Sequence, residues 1–219
     1  MHGQRGSTGS QEPGNLRQGW RDAIKRLVDL FLGTILAIVA SPVMLAIAAV
    51  IWIRDGSPIL YQWKVVGKDG QPFHSWKFRT MVHDADRLKR ELLQHNEMRG
   101  PVFKMRNDPR ITRAGHFLRK YSLDELPQLW SVLLGDMSLV GPRPPLVSEY
   151  ERFQRWQKRK LAVIPGLTCL WQVQGRADIS DFDEWVRMDL DYIDHWSLGL
   201  DLKIMFRTVL VVLQGRGAY

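Results

Sequence analysis

Residues 121–145 read YSLDELPQLWSVLLGDMSLVGPRPP, and this stretch places two adjacent carboxylates, Asp124 and Glu125, directly before a short apolar helix. Ser122 lies three residues before Glu125, the spacing of a capping box, so the dyad is predicted at a helix start. Unpaired N–H groups and the helix dipole favour an ionised carboxylate there and attract phosphate oxygens. Such a carboxylate can act as a nucleophile on phosphorus. Capping alone would also account for these residues, so both interpretations stay open.

A rigid turn closes this stretch. The sequence GPRPP at 141–145 carries three prolines, each of which fixes its own φ and restrains the residue before it. Because a stiff segment loses little entropy on binding, Arg143 can be held ready for a phosphate group. The same prolines would equally serve to turn a corner.

Composition bounds the architecture and the redox environment. A chain of 219 residues with 45% apolar content can bury a core and favours one domain with an appendage. The single cysteine, Cys169, excludes an intramolecular disulfide and a cysteine-rich zinc site, which fits a reducing compartment. The pattern of elements predicts an α+β protein that is mostly helical.

The positive charge is concentrated just upstream of the dyad. Residues 64–120 contain 14 Lys and Arg against 6 Asp and Glu, a surplus of 8 that equals the net charge of the whole chain. Such a field suits phosphates, an acidic membrane surface or nucleic acid, and it could also be a solvated basic face. No signature of a nucleic-acid-binding fold is present, so nucleic acid is not expected as a partner.

The N-terminal quarter predicts a tail and a membrane segment. Residues 1–18 are rich in Gly, Ser, Gln and Arg and are expected to be disordered. Residues 27–53 form an apolar run of 27 residues, about 40 Å as one helix, which exceeds a hydrocarbon core of roughly 30 Å. By length alone this segment could span a membrane.

Two features favour a re-entrant helix over 19–57 that enters and leaves on the same side. Pro42 removes a backbone hydrogen bond in the middle of the run, so the helix is expected to break at Ser41-Pro42 into two arms too short to span. Basic residues flank both ends, which assigns both to the cytoplasm. Ser41 can supply a partner for a carbonyl freed at the break. A proline-kinked span is the alternative.

Residues 58–219 are then expected to form the membrane-associated domain. The segments 59–66 and 72–78 predict a β-hairpin that delivers Lys77 and Arg79 on the face opposite its aromatic residues. The stretch 111–120 predicts a helix whose Arg119 lies five residues before the dyad, where it could grip a diphosphate or pair with the carboxylates. Arg110 leaves the preceding turn as a further cation.

The C-terminal helices carry aromatic and apolar side chains beside charges. Helices are predicted over 148–160, 182–196 and 198–213. Rings next to cations favour a position along the membrane surface, and burial in the protein core is the alternative.

Five blocks of this sequence resemble, in order, the bacterial sugar transferases of the monotopic polyprenyl-phosphate phosphoglycosyltransferase type. They are WKFRTM at 76–81, NDPRITRAGHFLRKYSLDELPQLW at 107–130, GDMSLVGPRP at 135–144, PGLTCLWQVQGR at 165–176 and GRGAY at 215–219. The likeness covers about residues 21–219. It implies transfer of a sugar 1-phosphate from a UDP-sugar donor to a polyprenyl phosphate acceptor at the cytoplasmic face of the bacterial inner membrane, for exopolysaccharide or another surface glycan. The resemblance does not decide whether the protein forms a homo-oligomer.

The resemblance also implies roles for particular residues. Asp124 would attack the β-phosphorus and release UMP, and Glu125, with Asp124, would bind Mg²⁺. The phosphates would be held by a set of cations: Lys77, Arg79, Arg110, Arg119, Arg143 and Arg176. Two alternatives remain open: a direct displacement with Asp124 as a metal ligand, and a basic membrane-surface module without catalysis.

The sugar is suggested by pattern resemblance alone. The GRAD block at 175–178, the DEW block at 183–185 and the GRGAY terminus look closer to relatives that use UDP-glucose or UDP-galactose. A relative that transfers an acetamido sugar is the alternative. A four-helix membrane region found in larger relatives is absent from this sequence.

Overall fold

The computed structural model describes residues 13–174 and 179–215. Within these residues the chain is mostly helical, with two small two-stranded sheets, as the sequence predicts. The expectations for the tail over 1–12, for Arg176 and for the end of the GRGAY block lie outside the described residues.

The first helix, α1, runs without interruption over Pro13–Asp55, 43 residues, and so already includes residues 13–18 of the expected tail. The predicted break of the helix at Ser41-Pro42 is wrong, because the helix continues through both residues. Pro42 has no N–H to give to Ile38 O, and the Ser41 hydroxyl donates to that same oxygen at 2.8 Å. Because the orphaned carbonyl keeps a donor, the helix continues.

Helix α1 is the one helix in the described part of the chain that is long and apolar enough to cross a membrane. One face packs on the domain through residues such as Ala40 and Ile51. The opposite face is solvent-accessible, with Phe31, Val39 and Leu45 each more than 60% exposed. Only 11% of its most apolar 18-residue window is buried in the protein.

The predicted hairpin is confirmed. Strands β1 (Leu60–Val66) and β2 (Pro72–Phe78) pair in antiparallel register, with Leu60 opposite Phe78. The turn between them is a short 3₁₀ helix at Lys68–Gly70. The hairpin packs on the segment that carries the carboxylate dyad, and it forms one wall of the candidate site.

The dyad segment is a 3₁₀ helix, Leu123–Gln128, between α3 (Arg113–Lys120) and α4 (Leu129–Leu134). The dyad therefore lies in a first helical turn, as predicted, but the predicted capping box is wrong. Ser122 takes a left-handed conformation, with φ at 52°, and its side chain makes no cap hydrogen bond. Its carbonyl instead accepts a hydrogen bond from Glu125 N at 3.3 Å.

The second sheet holds the proline-rich turn. Strands β3 (Ser138–Val140) and β4 (Gly166–Thr168) are parallel neighbours. The chain between them forms two one-turn helices, α5 (Val147–Tyr150) and α6 (Arg155–Lys158), where the sequence predicted one helix over 148–160. The interruption lets Phe153 turn into the core, where its ring lies 4.9 Å from that of Phe182.

The remaining helices complete the domain. They are α2 (Ala85–Glu91), α7 (Leu170–Gln174), α8 (Phe182–Asp194) and α9 (Leu198–Gln214). Helix α8 buries Trp185, Val186 and Tyr192, so the prediction that it lies along a membrane surface is wrong and the alternative of core burial holds. Helix α9 packs through Ile204 and exposes Phe206, among other apolar side chains.

Candidate active site

A cavity of about 440 Å³, which we call the active-site cavity, lies between the hairpin, the dyad segment and the proline-rich turn. Many of the residues that line it are charged, among them Lys77, Arg79, Arg110, Arg119, Arg143, Asp108, Asp124 and Glu125. Aromatic side chains line it as well. Trp171 and Trp185 stack with their ring centroids 4.2 Å apart, and Phe182 lies edge-on to Trp185. The cavity therefore combines charged and aromatic lining residues.

The two carboxylates of the dyad line this cavity, and each residue is only 8% exposed. Lys77 Nζ lies 2.7 Å from Glu125 Oε1, and Arg143 Nη1 lies 3.4 Å from the same oxygen. One carboxylate thus joins a cation of the hairpin to a cation of the proline-rich turn. Charges desolvated in this way interact more strongly than they would in water.

Burial and pairing act in opposite directions on these cations. Burial lowers the pKa of the Lys77 ammonium below its ordinary value, and the charge of Glu125 opposes that change. For Arg143, burial again disfavours the charge, but the pKa ends above its ordinary value because the neighbouring groups, Glu125 foremost, together outweigh the burial. Glu125 therefore favours the cationic form of both side chains.

Arg119 lies beside the other carboxylate. Its Nε donates to Thr80 Oγ1 at 2.9 Å. Burial lowers the pKa of Arg119, and the nearby charge of Asp124 is the first influence that opposes the lowering. This proximity is compatible both with a salt bridge to the dyad and with a grip on a bound diphosphate.

The proline-rich turn is held at both of its ends by backbone hydrogen bonds. Gly141 N donates to Thr168 O at 3.0 Å and Gly166 N donates to Pro142 O at 2.9 Å, on the β4 side. On the hairpin side, Val66 N donates to Pro145 O at 2.9 Å. Arg143 lies between these anchors, so its backbone has little freedom.

The two glycines beside Arg143 are required by a close approach of the backbone. A Cβ on Gly166 would lie 2.0 Å from Gly141 N, a distance that real Cβ atoms do not reach. The β3–β4 pairing that positions Arg143 therefore depends on the missing side chains.

Two of the predicted phosphate ligands have structural partners. Arg79 Nη2 donates to Asp55 O at 2.5 Å and Gly56 O at 2.7 Å, so this guanidinium binds the end of α1. Arg110 forms a two-point pair with Asp108, through Nε to Oδ1 at 2.8 Å and Nη2 to Oδ2 at 2.5 Å. Both arginines still line the cavity, and their phosphate-binding role stays a prediction.

The dyad fits the kind of magnesium site that the sequence predicts. Among the described residues, no group of three or more His, Cys, Asp or Glu side chains could hold a metal. Mg²⁺ in phosphoryl-transfer sites, however, is bound through one or two carboxylates together with substrate phosphates and water. Asp124 and Glu125 face the same cavity and could supply these oxygens.

Sequence reasoning missed Trp63. Lys77 Nζ lies 4.1 Å from the centroid of its ring, and Arg143 Cζ lies 5.8 Å from it. An aromatic face attracts cations, so this indole helps to hold both side chains in place. The hairpin register pairs Trp63 with Ser75, which lies two residues from Lys77 and therefore on the same face of the hairpin. The alternation of side chains in β1 and β2 could have predicted that Trp63 and Lys77 share this face.

A buried ion pair beside the Phe182 ring was also missed. Lys160 Nζ and Asp189 Oδ2 lie 2.6 Å apart, and their side chains are 3% and 1% exposed. Lys160 also lines the active-site cavity. Its position within a run of surface-like charges gave no sign of burial.

Together these features define a class of protein: a domain that carries a cationic cavity with a carboxylate dyad and is packed against a long apolar helix. Comparison with known proteins identifies the family. The sequence model of the family described as "Bacterial sugar transferase" matches residues 20–215, and the chain belongs to this family.

Several curated proteins are similar to the chain. It is 49% identical over 195 residues to "Galactosyl transferase CpsE" of Streptococcus agalactiae, covering 89% of this chain and 43% of that protein. It is 44% identical over 203 residues to "Undecaprenyl-phosphate galactose phosphotransferase" of Salmonella typhimurium, covering 90% and 42%. It is 40% identical over 199 residues to "Exopolysaccharide production protein ExoY" of Sinorhizobium fredii, covering 89% and 88%. The chain thus spans less than half of the first two relatives and most of the third.

Proposed function

We propose that this protein transfers a hexose 1-phosphate from a UDP-sugar to a polyprenyl phosphate such as undecaprenyl phosphate and releases UMP. The observation that carries the proposal is the carboxylate dyad on the wall of a cationic cavity, in a bacterial sugar transferase packed against a long apolar helix. The donor is UDP-galactose or UDP-glucose. The names of the galactosyl transferase and the galactose phosphotransferase favour galactose.

The cations that line the cavity suit the diphosphate of the donor. Lys77, Arg119 and Arg143 belong to three separate elements, the hairpin, α3 and the proline-rich turn. Guanidinium groups bind phosphate oxygens through two parallel hydrogen bonds, and Arg143 is restrained before any ligand arrives. The cations therefore offset the charge that repels an attacking carboxylate.

In the first step, a carboxylate oxygen of Asp124 attacks the β-phosphorus of the donor. A new O–P bond forms, the bond from that phosphorus to the bridging oxygen breaks, and UMP leaves with the bridging oxygen. The sugar phosphate is then covalently attached to Asp124. Dividing the transfer into two steps lets a soluble donor and a lipid acceptor use one site in turn.

In the second step, a phosphate oxygen of the polyprenyl phosphate attacks the same phosphorus. The bond to Asp124 breaks, the carboxylate is regenerated, and the product is a polyprenyl diphosphate sugar. Mg²⁺, when bound at the dyad, supplies additional positive charge for the crowded phosphate oxygens. Lys77 and Arg143 hold the Glu125 carboxylate in place beside the reacting centre.

The contacts of α1 support a helix whose two ends lie on the same side of the membrane. At its N-terminal part, Lys25 Nζ pairs with Asp201 Oδ2 at 2.6 Å. At its C-terminal end, Arg79 binds the carbonyls of Asp55 and Gly56. Both ends thus contact one domain, whereas a spanning helix places its ends on opposite faces of the bilayer. We infer that α1 and the domain share the cytoplasmic face of the bacterial inner membrane.

The inferred topology can be tested by labelling. Single cysteines at Gly19 and at Gly56, placed in a Cys169→Ser chain, should both react with a membrane-impermeant maleimide only in inside-out vesicles. Protection of one site and labelling of the other in the same vesicles would show that α1 spans the membrane.

The enzymatic proposal is tested with a panel of donors. The full chain in detergent micelles, with undecaprenyl phosphate and Mg²⁺, should release UMP from UDP-galactose or UDP-glucose faster than from UDP-N-acetylglucosamine. Asp124→Asn should lower the rate by about 10³-fold or more, the scale on which loss of a nucleophile acts. Asp136→Asn removes an exposed carboxylate that lies between α4 and β3, and it should leave the rate unchanged.

Kinetics separate the two-step scheme from its alternatives. Parallel initial-rate lines and a phosphosugar trapped on Asp124 support the covalent intermediate. Intersecting lines without an adduct would indicate direct displacement. A full rate in Asp124→Asn would overturn the proposed role of this carboxylate, and no UMP from any donor would overturn the activity.

A further inference from the structure

A second cavity, which we call the apolar cleft, adjoins the candidate active site. It measures about 170 Å³ and lies between the dyad segment, β4, α7 and α9. Its walls are mainly aliphatic: Leu123, Leu126, Leu167, Val173, Val211 and Val212. Glu125 lines both this cleft and the active-site cavity, so this carboxylate lies between the two spaces.

Three polar side chains of the apolar cleft have hydrogen-bond partners within the protein. Thr208 Oγ1 donates to Ile204 O at 2.8 Å, and the hydroxyl of Thr168 lies 2.7 Å from it as the donor of the pair. Gln172 Oε1 accepts from Cys169 N at 3.0 Å. Since these groups already have partners, the cleft offers a ligand mainly apolar contact.

The size of the apolar cleft restricts its occupant. An engineered apolar cavity of about 150 Å³ binds benzene, a molecule with six carbons. A cleft of about 170 Å³ therefore has room for one five-carbon isoprenyl unit or a group of similar bulk. It is too small for a sugar with its shell of hydrogen-bonding water, and it offers such a ligand few polar partners.

The helix that borders the apolar cleft also has exposed apolar side chains. Val211 and Val212 are partly exposed where they line the cleft. Elsewhere on the same helix, Phe206 and Leu213 are 66% and 72% exposed. A chain that extends from the cleft around α9 would therefore contact apolar side chains.

We propose that the apolar cleft seats the first isoprenyl unit of the polyprenyl phosphate acceptor, with its phosphate at the Glu125 boundary. This inference rests on the proposed function. The acceptor phosphate must reach the phosphorus carried by Asp124, and its first isoprenyl unit is attached directly to that phosphate. The donor enters through the cationic cavity, and the lipid reaches the dyad from the other side of Glu125.

The test fills the apolar cleft without touching the charged site. Val211→Trp places a larger side chain in the cleft, and Val209→Trp makes the same change at an exposed position of α9 outside it. Both variants are assayed in micelles with undecaprenyl phosphate and UDP-galactose or UDP-glucose. Val211→Trp should raise the KM for undecaprenyl phosphate at least about tenfold, about 1.4 kcal/mol of acceptor binding, with the KM for the UDP-sugar unchanged.

Two results would overturn the proposal. The first is an unchanged KM for the acceptor in Val211→Trp. The second is an equal rise of this KM in Val209→Trp, because the effect would then come from the surface of α9 and not from the cleft. Failure of the proposed function is recognised separately, because the unaltered protein would then release no UMP from any donor.

A photolabelling experiment covers the case in which Val211→Trp does not fold. The unaltered chain is irradiated with a polyprenyl phosphate that carries a diazirine on its first isoprenyl unit. Labelled peptides should come from the cleft walls, around Leu167 or Val211. Labelling confined to α1 or to the hairpin would contradict the assignment.

Discussion

The salt bridge at Glu125 predicts an asymmetric response to mutation, because one carboxylate serves two cations. Lys77 lies 2.7 Å from Glu125 Oε1 with both side chains less than 15% exposed, and Arg143 lies 3.4 Å from the same oxygen. At an effective dielectric constant near 20, these distances correspond to about 6 and 5 kcal/mol of attraction before desolvation is subtracted. The second figure is discounted further, because the Arg143 side chain is one-third exposed.

Removing the lysine should cost less than removing the carboxylate. In Lys77→Met, Glu125 retains Arg143, and the buried ammonium, whose pKa is lowered by burial, no longer has to be desolvated. We expect a loss of about 1.5 kcal/mol, the lower end for a hydrogen bond to a charged group. In Glu125→Gln, two cations lose the carboxylate that lies between them, and we expect a loss of about 3–5 kcal/mol.

Stability is measured by denaturant unfolding in detergent micelles, followed by tryptophan fluorescence. The double variant should show a coupling of about 1.5 kcal/mol, the whole cost of Lys77→Met, since its second mutation removes an interaction that is already broken. Lys64→Met is the matched control, because Lys64 is an exposed lysine of the same hairpin. A loss in Lys77→Met as large as that in Glu125→Gln would refute this account of the site.

The same argument predicts a pH dependence with a definite sign. Without Glu125, burial and Arg143 both lower the pKa of Lys77, so the folded state releases this proton at a lower pH than the unfolded state does. Between those two pKa values the unfolded chain binds more protons, and the free energy of unfolding rises with pH. Glu125→Gln should therefore regain part of its stability as the pH rises toward the ordinary lysine pKa of about 10.4, and a further loss there would contradict the assignment.

Two further predictions concern positions that hold the site together. Arg79→Met should lower the stability by at least about 2 kcal/mol, because its guanidinium binds the terminal carbonyls of α1, and Arg79→Lys should recover less than half of this in thermal denaturation. Gly166→Ala should cost about 3 kcal/mol or more through the clash with Gly141 N, whereas Gly199→Ala, with no neighbouring atom closer than 4.0 Å, should be neutral or stabilising by up to about 1 kcal/mol. A soluble Gly166→Ala protein with unchanged unfolding would contradict the close approach of β3 and β4.

Local patterns in the sequence were sufficient for several elements. The alternation in residues 59–66 and 72–78 correctly predicts the hairpin, because side chains on a strand alternate between two faces whatever they pack against. The carboxylates followed by an apolar run correctly predict a helical turn at the dyad. Apolar length alone identifies α1 as a membrane segment candidate.

Other features depended on contacts that a local pattern does not contain. Proline was expected to end the helix at Pro42, but a neighbouring hydroxyl replaces the lost donor. The capping box at Ser122 failed because this residue takes a left-handed conformation. Lys77 and Arg79 share a face by alternation, yet the strand ends at Phe78 and their side chains reach different partners.

The amino-acid sequence by itself determined which groups this protein has available: a carboxylate dyad, a basic stretch, a stiff turn around Arg143 and an apolar segment. Only the tertiary structure decided which of these groups meet. Glu125 pairs with Lys77 across 48 positions of chain and with Arg143 across 18, and it separates a charged cavity from an apolar one. The physical reason is that helix and strand periodicity follow from neighbouring residues, whereas burial and pairing of charges follow from how distant elements pack.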